Sequence, residues 1–348
     1  MSYYQESDEP ALKDFYEKVW TPPSIKKSEQ WFEWFFFQNP HRTNDLIPLL
    51  LGYEGNEIVG HLALRPTYFW INGQPQQTVF SIDLYLAPAH RKGTLFMRLM
   101  VKQASDFSIV LSTGQSRALR SSGEESNFKR WNKWGYWVAG NVNQWEKVFF
   151  DLNYLFDGIG RDPKRFVKRA GAMCYEAVSR IACPKPGNLT IKVQQTFDAG
   201  VDALWEKTKA QYQCITQRDR AVLNWRFARH PYVNYIILEA WGGASDYKGY
   251  LVVRMDGDTG VLVDVLTESS ESEARRALIR YAEAYLKKMG AKRMACRCVF
   301  EQFEEDLKAC GYLRTEFPNL IIVHSNPAGG LPPANQWVLT ALDGDLDR

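Results

Sequence analysis

The fold is decided by the stretch Asp83-Leu84-Tyr85-Leu86-Ala87-Pro88-Ala89-His90-Arg91-Lys92-Gly93-Thr94-Leu95-Phe96-Met97-Arg98-Leu99-Met100. Its first, apolar part predicts a strand, and the spacing of the apolar residues after Thr94 predicts an amphipathic helix. A short turn with basic residues and a glycine joins the two. Backbone N–H groups of such a turn, with the positive end of the following helix, can hold a diphosphate. An ordinary strand–helix connection with a solvated basic turn explains the same residues equally well.

The same outline occurs twice in the chain. Four short segments recur in the same order: Trp34–Pro40 with Trp225–Pro231, Gly60–Arg65 with Gly249–Arg254, Ile82–Leu84 with Val263–Val265, and Lys133–Tyr136 with Ala309–Tyr312. Each match alone is weak, but the common order of all four indicates an internal duplication.

Each copy predicts the same succession of elements. Two helices come first, then a meander of three strands, and then helix, strand, helix and a last strand. In the first copy, helices are expected at 10–19, 28–38 and 94–105, and strands at 46–53, 57–70, 77–86 and 108–112. In the second copy, helices are expected at 199–211, 219–228 and 272–289, and strands at 235–241, 249–255, 260–266 and 293–299. Late in each copy helices and strands alternate, and this order requires a helical crossover between two parallel strands. The early strands are joined by short turns and therefore pair antiparallel. We therefore predict an α/β (mixed α+β) fold of two tandem domains, each a twisted mixed sheet with helices on both faces.

The length of 348 residues also favours two domains. We expect a first domain over 1–150, a linker with a helix over 151–190, a second domain over 191–325 and a C-terminal tail over 326–348. The linker matches neither copy, and the Pro-rich stretch Pro184-Lys185-Pro186-Gly187 precedes the restart of the pattern.

Composition argues against several classes of protein. The chain has 43 basic and 40 acidic residues, a balance too even for a nucleic-acid-binding face. The first ten residues are polar and acidic, unlike a secretion signal, and no apolar run reaches the roughly 20 residues of a membrane span. Six cysteines lack C-x-x-C spacing, which favours reduced thiols over a metal site. We expect a cytoplasmic protein without a metal, a membrane or a nucleic-acid partner.

The segment quoted first resembles the acyl-CoA loop of the GNAT superfamily of N-acyltransferases. In that family a strand ends in hydrophobic-x-Pro, like Leu86-Ala87-Pro88, and an Arg/Gln-x-x-Gly-x-Gly/Ala turn opens the next helix. Lys133-Trp134-Gly135-Tyr136 is similar to the end of the family's late helix, and the order of elements agrees over most of both copies. The resemblance implies that acetyl-CoA or another acyl-CoA is the co-substrate, and that it contacts Leu86, His90, Arg91, Lys92, Gly93, Thr94 and Leu95.

The turn departs from the family pattern in either alignment. If Arg91 takes the Arg/Gln position, Thr94 and Phe96 stand at the two glycines; if His90 takes it, Gly93 and Leu95 do. The corresponding loop of the second copy, Leu266–Glu273, has no glycine and no basic residue, and its three carboxylates would repel a diphosphate. We therefore expect the second half to be structural or to shape the substrate site.

The resemblance implies direct transfer from a thioester to an amine in the gap between two splayed strands. The backbone N–H of Leu86 would polarise the thioester carbonyl. Candidates for the general base are Asp83, Glu124 and Glu125, with Asp83 and Glu125 preferred. Asp83 recurs as Asp264, which favours a structural role, and a helix-start carboxylate explains Glu125 as well. Trp131 stands where the family often has a tyrosine as general acid.

The expected function is acyl-CoA-dependent N-acylation of a small amine, such as an amino sugar or an amino acid. One alternative is a catalytically inactive relative that acts as a binding or scaffold protein. Another is an aminoacyl-type transferase that uses charged tRNA, against which the near-neutral charge speaks.

Overall fold

The computed structural model describes residues 1–19, 28–42, 46–91, 93–113, 132–149, 188–243, 245–315, 319–325 and 330–344, together with 167, 170, 171, 174, 175 and 178. The described helices are α1 (Glu9–Val19), α2 (Glu29–Phe32), α3 (Leu95–Asp106), α4 (Ala199–Thr208), α5 (Arg220–Leu223), α6 (Ser272–Lys288) and α7 (Glu301–Ala309). A five-residue π-helical turn extends α2 over Glu33–Phe37 and another extends α5 over Asn224–Ala228.

The strands of the first sheet are β1 (Ser2–Tyr3), β2 (Leu49–Glu54), β3 (Glu57–Ile71), β4 (Gln74–Leu86), β5 (Ile109–Ser112), β6 (Tyr136–Asn141), β9 (Cys214–Thr216), β15 (Leu320–Ser325) and β16 (Trp337–Val338). Those of the second sheet are β7 (Asn143–Val148), β8 (Thr190–Gln194), β10 (Ile236–Trp241), β11 (Tyr247–Asp256), β12 (Thr259–Thr267), β13 (Arg293–Cys298) and β14 (Leu313–Thr315).

The two sheets repeat one strand order. The first runs β1-β2-β3-β4-β5-β15-β6, and the second runs β8-β10-β11-β12-β13-β7-β14. In each, the fourth and fifth strands of the order pair parallel, whereas the described neighbours on either side pair antiparallel. The mixed α/β fold predicted from the sequence is confirmed, and the matching order is what an internal duplication produces.

Each half donates a strand to the path of the other sheet, and the second half also adds β9 and β16 beside β3 of the first sheet. β7 follows β6 directly in the chain but lies between β13 and β14 of the second sheet. β15 follows β14 and lies between β5 and β6 of the first. The exchange is reciprocal, so neither sheet is complete without the other half of the chain.

The second helices of the two copies begin in the same way. The Ser28 hydroxyl accepts a hydrogen bond from the backbone N–H of Trp31, and the Asp219 carboxylate accepts one from that of Val222. Such N-caps satisfy N–H groups that have no partner within the helix.

The last described segment, 330–344, packs between the halves through a buried charge network. Its Asp343 carboxylate accepts from the Arg218 guanidinium at 2.8 Å, and Arg218 also donates to Asp264 at 3.1 Å. All three side chains have no exposed surface. The hydroxyl groups of Thr216, Thr340 and Tyr250 complete the network. Because a buried charge is tolerated only when it is paired and hydrogen-bonded, this network fixes the segment in place.

None of the helices that the structure describes is long and apolar enough to cross a membrane.

Candidate functional site

The predicted gap between two parallel strands lies at the end of β4. β4 and β5 pair only at Val79 with Val110 and at Phe80 with Leu111. β4 then continues to Leu86 along β3, without a described partner on its other edge. The two strands therefore separate toward their carboxyl ends, and the edge of β4 faces the opening.

A bulge interrupts β4 at Asp83. Pairing between β3 and β4 shifts between His61 and Ala63, and Asp83 has a φ of +51°. Left-handed backbone is uncommon for a residue other than glycine, although aspartate tolerates it better than most. Such bulges re-aim the chain and are frequent beside functional sites.

The Asp83 carboxylate lies in a largely buried polar cluster. Its Oδ2 is 3.9 Å from His61 Nε2; the Asp83 side chain is 12% exposed, and that of His61 is 1% exposed. The Tyr16 ring packs edge-on against His61, and burial together with the Asp83 charge raises the pKa of Tyr16. Asp83 is thus a charged group with limited access to solvent beside the strand opening.

Asp264, which corresponds to Asp83 in the repeat, has different contacts and less access to solvent. Asp264 accepts from Arg218 and from the Tyr250 hydroxyl at 2.7 Å, and its side chain has no exposed surface. Tyr250 occupies in β11 the place that His61 occupies in β3. The two aspartates therefore share a position but differ in access: Asp264 is enclosed, whereas Asp83 reaches the surface.

The backbone N–H of Leu86 points to the open edge of β4. Ala87 donates its N–H to Val59 of β3 at 2.9 Å. Neighbouring residues of a strand direct their N–H groups to opposite edges, so that of Leu86 is directed away from β3. Its carbonyl oxygen, on the same side, accepts from Arg91 Nε at 3.0 Å.

The turn after β4 is a short 3₁₀ helix, Pro88–His90, followed by Arg91. The Arg91 guanidinium lies over the Tyr85 ring as well as on the Leu86 carbonyl, so it braces the end of the strand. His90 Nε2 lies 3.4 Å from the exposed carboxylate of Glu54. Arg91 and His90 therefore lie beside the opening, with these protein contacts already made.

The start of α3 does not require glycine at either position where the family pattern has one. Thr94 is the N-cap, with an ordinary helical φ of −86° and no capping hydrogen bond from its side chain. A Cβ on Gly93 would meet nothing closer than the His90 carbonyl oxygen at 3.6 Å. The Leu95 side chain turns into the core, where it lies against Gly52 and Gly60. Gly93 and Thr94 are both exposed at this turn.

Several predicted residues fall outside the part of the chain that the structure describes. These are Lys92, Glu124, Glu125 and Trp131. Of the remaining predicted residues, the structure brings together Asp83, Leu86, His90, Arg91, Gly93, Thr94 and Leu95 at one end of β4. Sequence reasoning missed His61, although it belongs to the repeated segment Gly60–Arg65 and its place beside Asp83 follows from strand pairing.

The corresponding loop of the second half is closed by its own side chains. Arg275 is buried and donates to the carbonyls of Glu268 and Ser269 and to the Thr267 hydroxyl. The N–H of Ser269 is taken by the Gln211 side chain at 2.9 Å. The Arg275 guanidinium and the N–H groups of Ser269, Glu271 and Ser272 are therefore already engaged within the chain.

Among the described residues, no group of three or more His, Cys, Asp or Glu side chains is arranged to hold a metal ion.

No family model and no curated protein sequence matches the chain. Solved structures do. A GCN5-related N-acetyltransferase from Anabaena variabilis is 13% identical with a TM-score of 0.61, and the match covers 92% of this chain and 71% of that one. A probable N-acyltransferase of Enterococcus faecalis is 8% identical with a TM-score of 0.60 and the same coverage.

The N-myristoyltransferase of Saccharomyces cerevisiae, solved with bound myristoyl-CoA, is similar over the whole length. It is 11% identical with a TM-score of 0.52, over 100% of this chain and 82% of that one. Identities this low establish the fold alone. Splayed strands, a bulged β4 and a long match to these structures agree on one conclusion: the chain has the fold of the GCN5-related N-acetyltransferases.

Proposed function

We propose that the protein is an acyl-CoA-dependent N-acyltransferase whose reaction centre lies in the first half, at the opening between β4 and β5. The observation that carries the proposal is the Leu86 N–H, which is directed into this opening next to the N-terminus of α3. A backbone donor beside a helix N-terminus suits a thioester carbonyl and its attached diphosphate.

In the proposed reaction the diphosphate of the acyl-CoA rests on the backbone N–H groups at the start of α3, from Thr94 onward, and the thioester enters the opening. The amine nitrogen attacks the thioester carbon, and the Leu86 N–H stabilises the oxyanion that forms. The carbon–sulfur bond then breaks, and the sulfur leaves as CoA thiolate and takes up a proton. Because both substrates are held in one opening, their proximity provides much of the rate acceleration.

We assign Asp83 as the group that takes the proton of the substrate ammonium, directly or through water. Its carboxylate lies at the bulge and reaches the surface, whereas its counterpart Asp264 is neutralised by Arg218. This contrast weakens the argument that the recurrence of Asp83 makes it structural. Glu125 stays a second candidate.

The second half is proposed to have no acyl-CoA site of its own, because Gln211 and carbonyl oxygens of the loop already accept from its N–H groups, and the Arg275 guanidinium is turned onto those carbonyls. We also propose domain boundaries at 150 and 191, a cytoplasmic location and a small amine as the acceptor. An amino sugar or an amino acid fits the reaction equally well.

A non-catalytic relative is the second candidate, favoured by one observation: Arg91, the basic residue of the turn, is engaged by the Leu86 carbonyl. The test is calorimetric titration of the full chain with acetyl-CoA and with longer acyl-CoAs, followed by assay of free CoA thiol with a panel of amines. Binding with amine-dependent thiol release supports the enzyme. Binding of acyl-CoA without release of CoA thiol for any amine supports the non-catalytic candidate. Absence of binding contradicts acyl-CoA both as a co-substrate and as a bound ligand.

A further inference from the structure

The Arg91 side chain is directed back to the strand that precedes its turn. Its Nε donates to the Leu86 carbonyl oxygen at 3.0 Å, and its guanidinium carbon lies 5.4 Å from the centre of the Tyr85 ring. These are its described side-chain contacts, and neither is with a carboxylate. The guanidinium therefore brings a positive charge, which no described ion pair neutralises, to the end of β4.

Leu86 supplies both backbone groups that face the opening at this point. In an antiparallel strand the N–H and the C=O of one residue point to the same edge. The Leu86 carbonyl oxygen therefore lies beside the N–H that is proposed to receive the thioester oxygen. Two carbonyl oxygens brought close together repel each other, because both carry partial negative charge. The Arg91 guanidinium offsets this repulsion, since it places a positive charge on the oxygen of the strand.

The second half pairs the equivalent carbonyl with a neutral group. In the first sheet, Leu86 pairs with Gly60. In the second, Thr267 pairs with Gly249, which is the repeat equivalent of Gly60. The Thr267 carbonyl accepts from the hydroxyl of Tyr212 at 2.9 Å, and Tyr212 is buried. Because a neutral hydroxyl is enough to pair this carbonyl, the need for a partner does not by itself explain a guanidinium in the first half.

The direction of the Arg91 side chain separates it from the diphosphate site proposed at the start of α3. An arginine that holds a phosphate turns its forked N–H groups toward the phosphate oxygens. Arg91 instead turns Nε to Leu86 and lies over Tyr85. The backbone N–H groups from Thr94 onward can serve the diphosphate without this side chain.

We propose that Arg91 is a positioning residue for the reaction centre. Its guanidinium neutralises the Leu86 carbonyl and braces the end of β4, so that the Leu86 N–H can polarise the thioester carbonyl. The assignment rests on the proposed acyl transfer. It implies that Arg91 acts on the thioester carbonyl and not on the CoA part of the donor.

Three compounds separate these two parts of the donor in calorimetric titrations of the full chain. Acetyl-CoA has the thioester carbonyl, S-ethyl-CoA has a methylene group in its place, and CoA has no acyl group. Arg91→Met removes the donor and the charge but keeps an unbranched side chain, and Arg91→Lys keeps the charge. Arg42→Met is the matched control. The Arg42 guanidinium lies over the Phe37 ring at 4.7 Å, but its Nε has no hydrogen-bond partner among the described residues.

We expect the unmodified chain to bind acetyl-CoA about three- to tenfold more tightly than S-ethyl-CoA, the effect of one hydrogen bond. Arg91→Met should reduce this preference below about twofold and leave the affinity for CoA within about twofold. Arg91→Lys should restore part of the preference, and Arg42→Met should leave it unchanged. Because Arg91 is exposed, its replacement should not disturb the fold, which thermal unfolding of each variant checks.

The infrared stretching frequency of the bound thioester is a second readout. Acetyl-CoA labelled with ¹³C at the carbonyl carbon gives a band of its own, and its frequency falls as the hydrogen bond to the carbonyl oxygen becomes stronger. The frequency should be lower in the unmodified chain and in Arg42→Met than in Arg91→Met.

Three results would overturn the assignment while the proposed function stands. Arg91→Met could weaken CoA and S-ethyl-CoA as much as acetyl-CoA, which would make Arg91 a ligand of the diphosphate. The acetyl-CoA preference and the carbonyl frequency could both survive Arg91→Met, which would remove Arg91 from the reaction centre. The unmodified chain could also bind acetyl-CoA and S-ethyl-CoA equally well. If it binds none of the three compounds, the proposed function fails and the assignment fails with it.

Discussion

The indole N–H of Trp34 donates to the backbone carbonyl of Trp225, and the indole N–H of Trp225 donates to the carbonyl of Trp34, both at 2.8 Å. The two rings stack with centroids 5.2 Å apart. Each tryptophan lies in the π-helical turn of its own half. Equivalent residues that exchange identical contacts are the mark of a two-fold interface, here between two halves of one chain.

This pair predicts equal and coupled effects of substitution. Trp34→Phe and Trp225→Phe should each lower the free energy of unfolding by about 1–3 kcal/mol, because a buried carbonyl loses its donor. The double variant should cost less than the sum of the two. Denaturant unfolding measures all three. Trp70→Phe is the control, since the Trp70 N–H is buried without a hydrogen-bond partner among the described residues. If Trp70→Phe lowers the free energy of unfolding by the same amount, the effect comes from ring packing and not from the hydrogen bonds.

The Arg218 network predicts a large cost for a single change. Arg218→Gln leaves the buried carboxylates of Asp264 and Asp343 without their cation, and we expect a loss of about 3–5 kcal/mol in unfolding free energy. Arg220→Gln, two residues away, breaks an exposed pair with Asp202 and should cost less than about 1 kcal/mol. Comparable losses in the two variants would refute the anchoring role of the network.

Two glycines near the proposed site should respond differently to alanine. A Cβ on Gly60 would lie 2.6 Å from Leu86 Cδ2 and 3.2 Å from the Tyr85 carbonyl oxygen, so Gly60→Ala should cost about 1–3 kcal/mol. Gly93→Ala has room and should stay within about 0.5 kcal/mol. Thermal unfolding ranks the variants, and the reverse ranking would mean that the packing around Leu86 is different.

His230 predicts a loss of stability in acid. Its Nδ1 accepts the backbone N–H groups of Tyr232 and Val233, and burial beside Arg226 and Arg254 lowers its pKa from 6.5 to about 3. The stability it contributes is complete above the unfolded pKa of 6.5 and falls as the pH drops toward 3, by up to about 1.4 kcal/mol per pH unit. His230→Asn should flatten this slope in denaturant unfolding at several pH values, although His41, with a pKa lowered to about 4, keeps part of it. An unchanged slope would show that His230 is not the cause.

The sequence predicted helices α1 to α6 and eight of the sixteen described strands to within a few residues, because periodicity and turn chemistry are local signals. Three features depend on distant residues and could not be predicted. β7 and β15 are ordinary short strands, and both sheets offer the same space for them. Which sheet each strand joins is therefore decided only when the two halves pack together. The edge strands β1 and β8 are short and polar. The segment around Asp343 was expected to be a tail, and only the spatial meeting with Arg218 gives it a place.

At the proposed site, residue types were predictable and geometry was not. The strand, turn and helix around Leu86 follow from the sequence, but the positive φ of Asp83 and the inward turn of Leu95 come from packing against β3 and against Gly52. His61 meets Asp83 only because two strands pair with a bulge.

The most direct test of the account is calorimetric binding of acetyl-CoA to two matched variants, Thr94→Glu and Ser270→Glu. Both residues are exposed and stand just before a long helix, Thr94 before α3 and Ser270 before α6. A carboxylate at Thr94 would repel the diphosphate at the site proposed here, so affinity should fall by at least about tenfold, whereas Ser270→Glu should bind like the unmodified chain. Equal affinity of both variants, or loss only with Ser270→Glu, would contradict the placement of acyl-CoA in the first half.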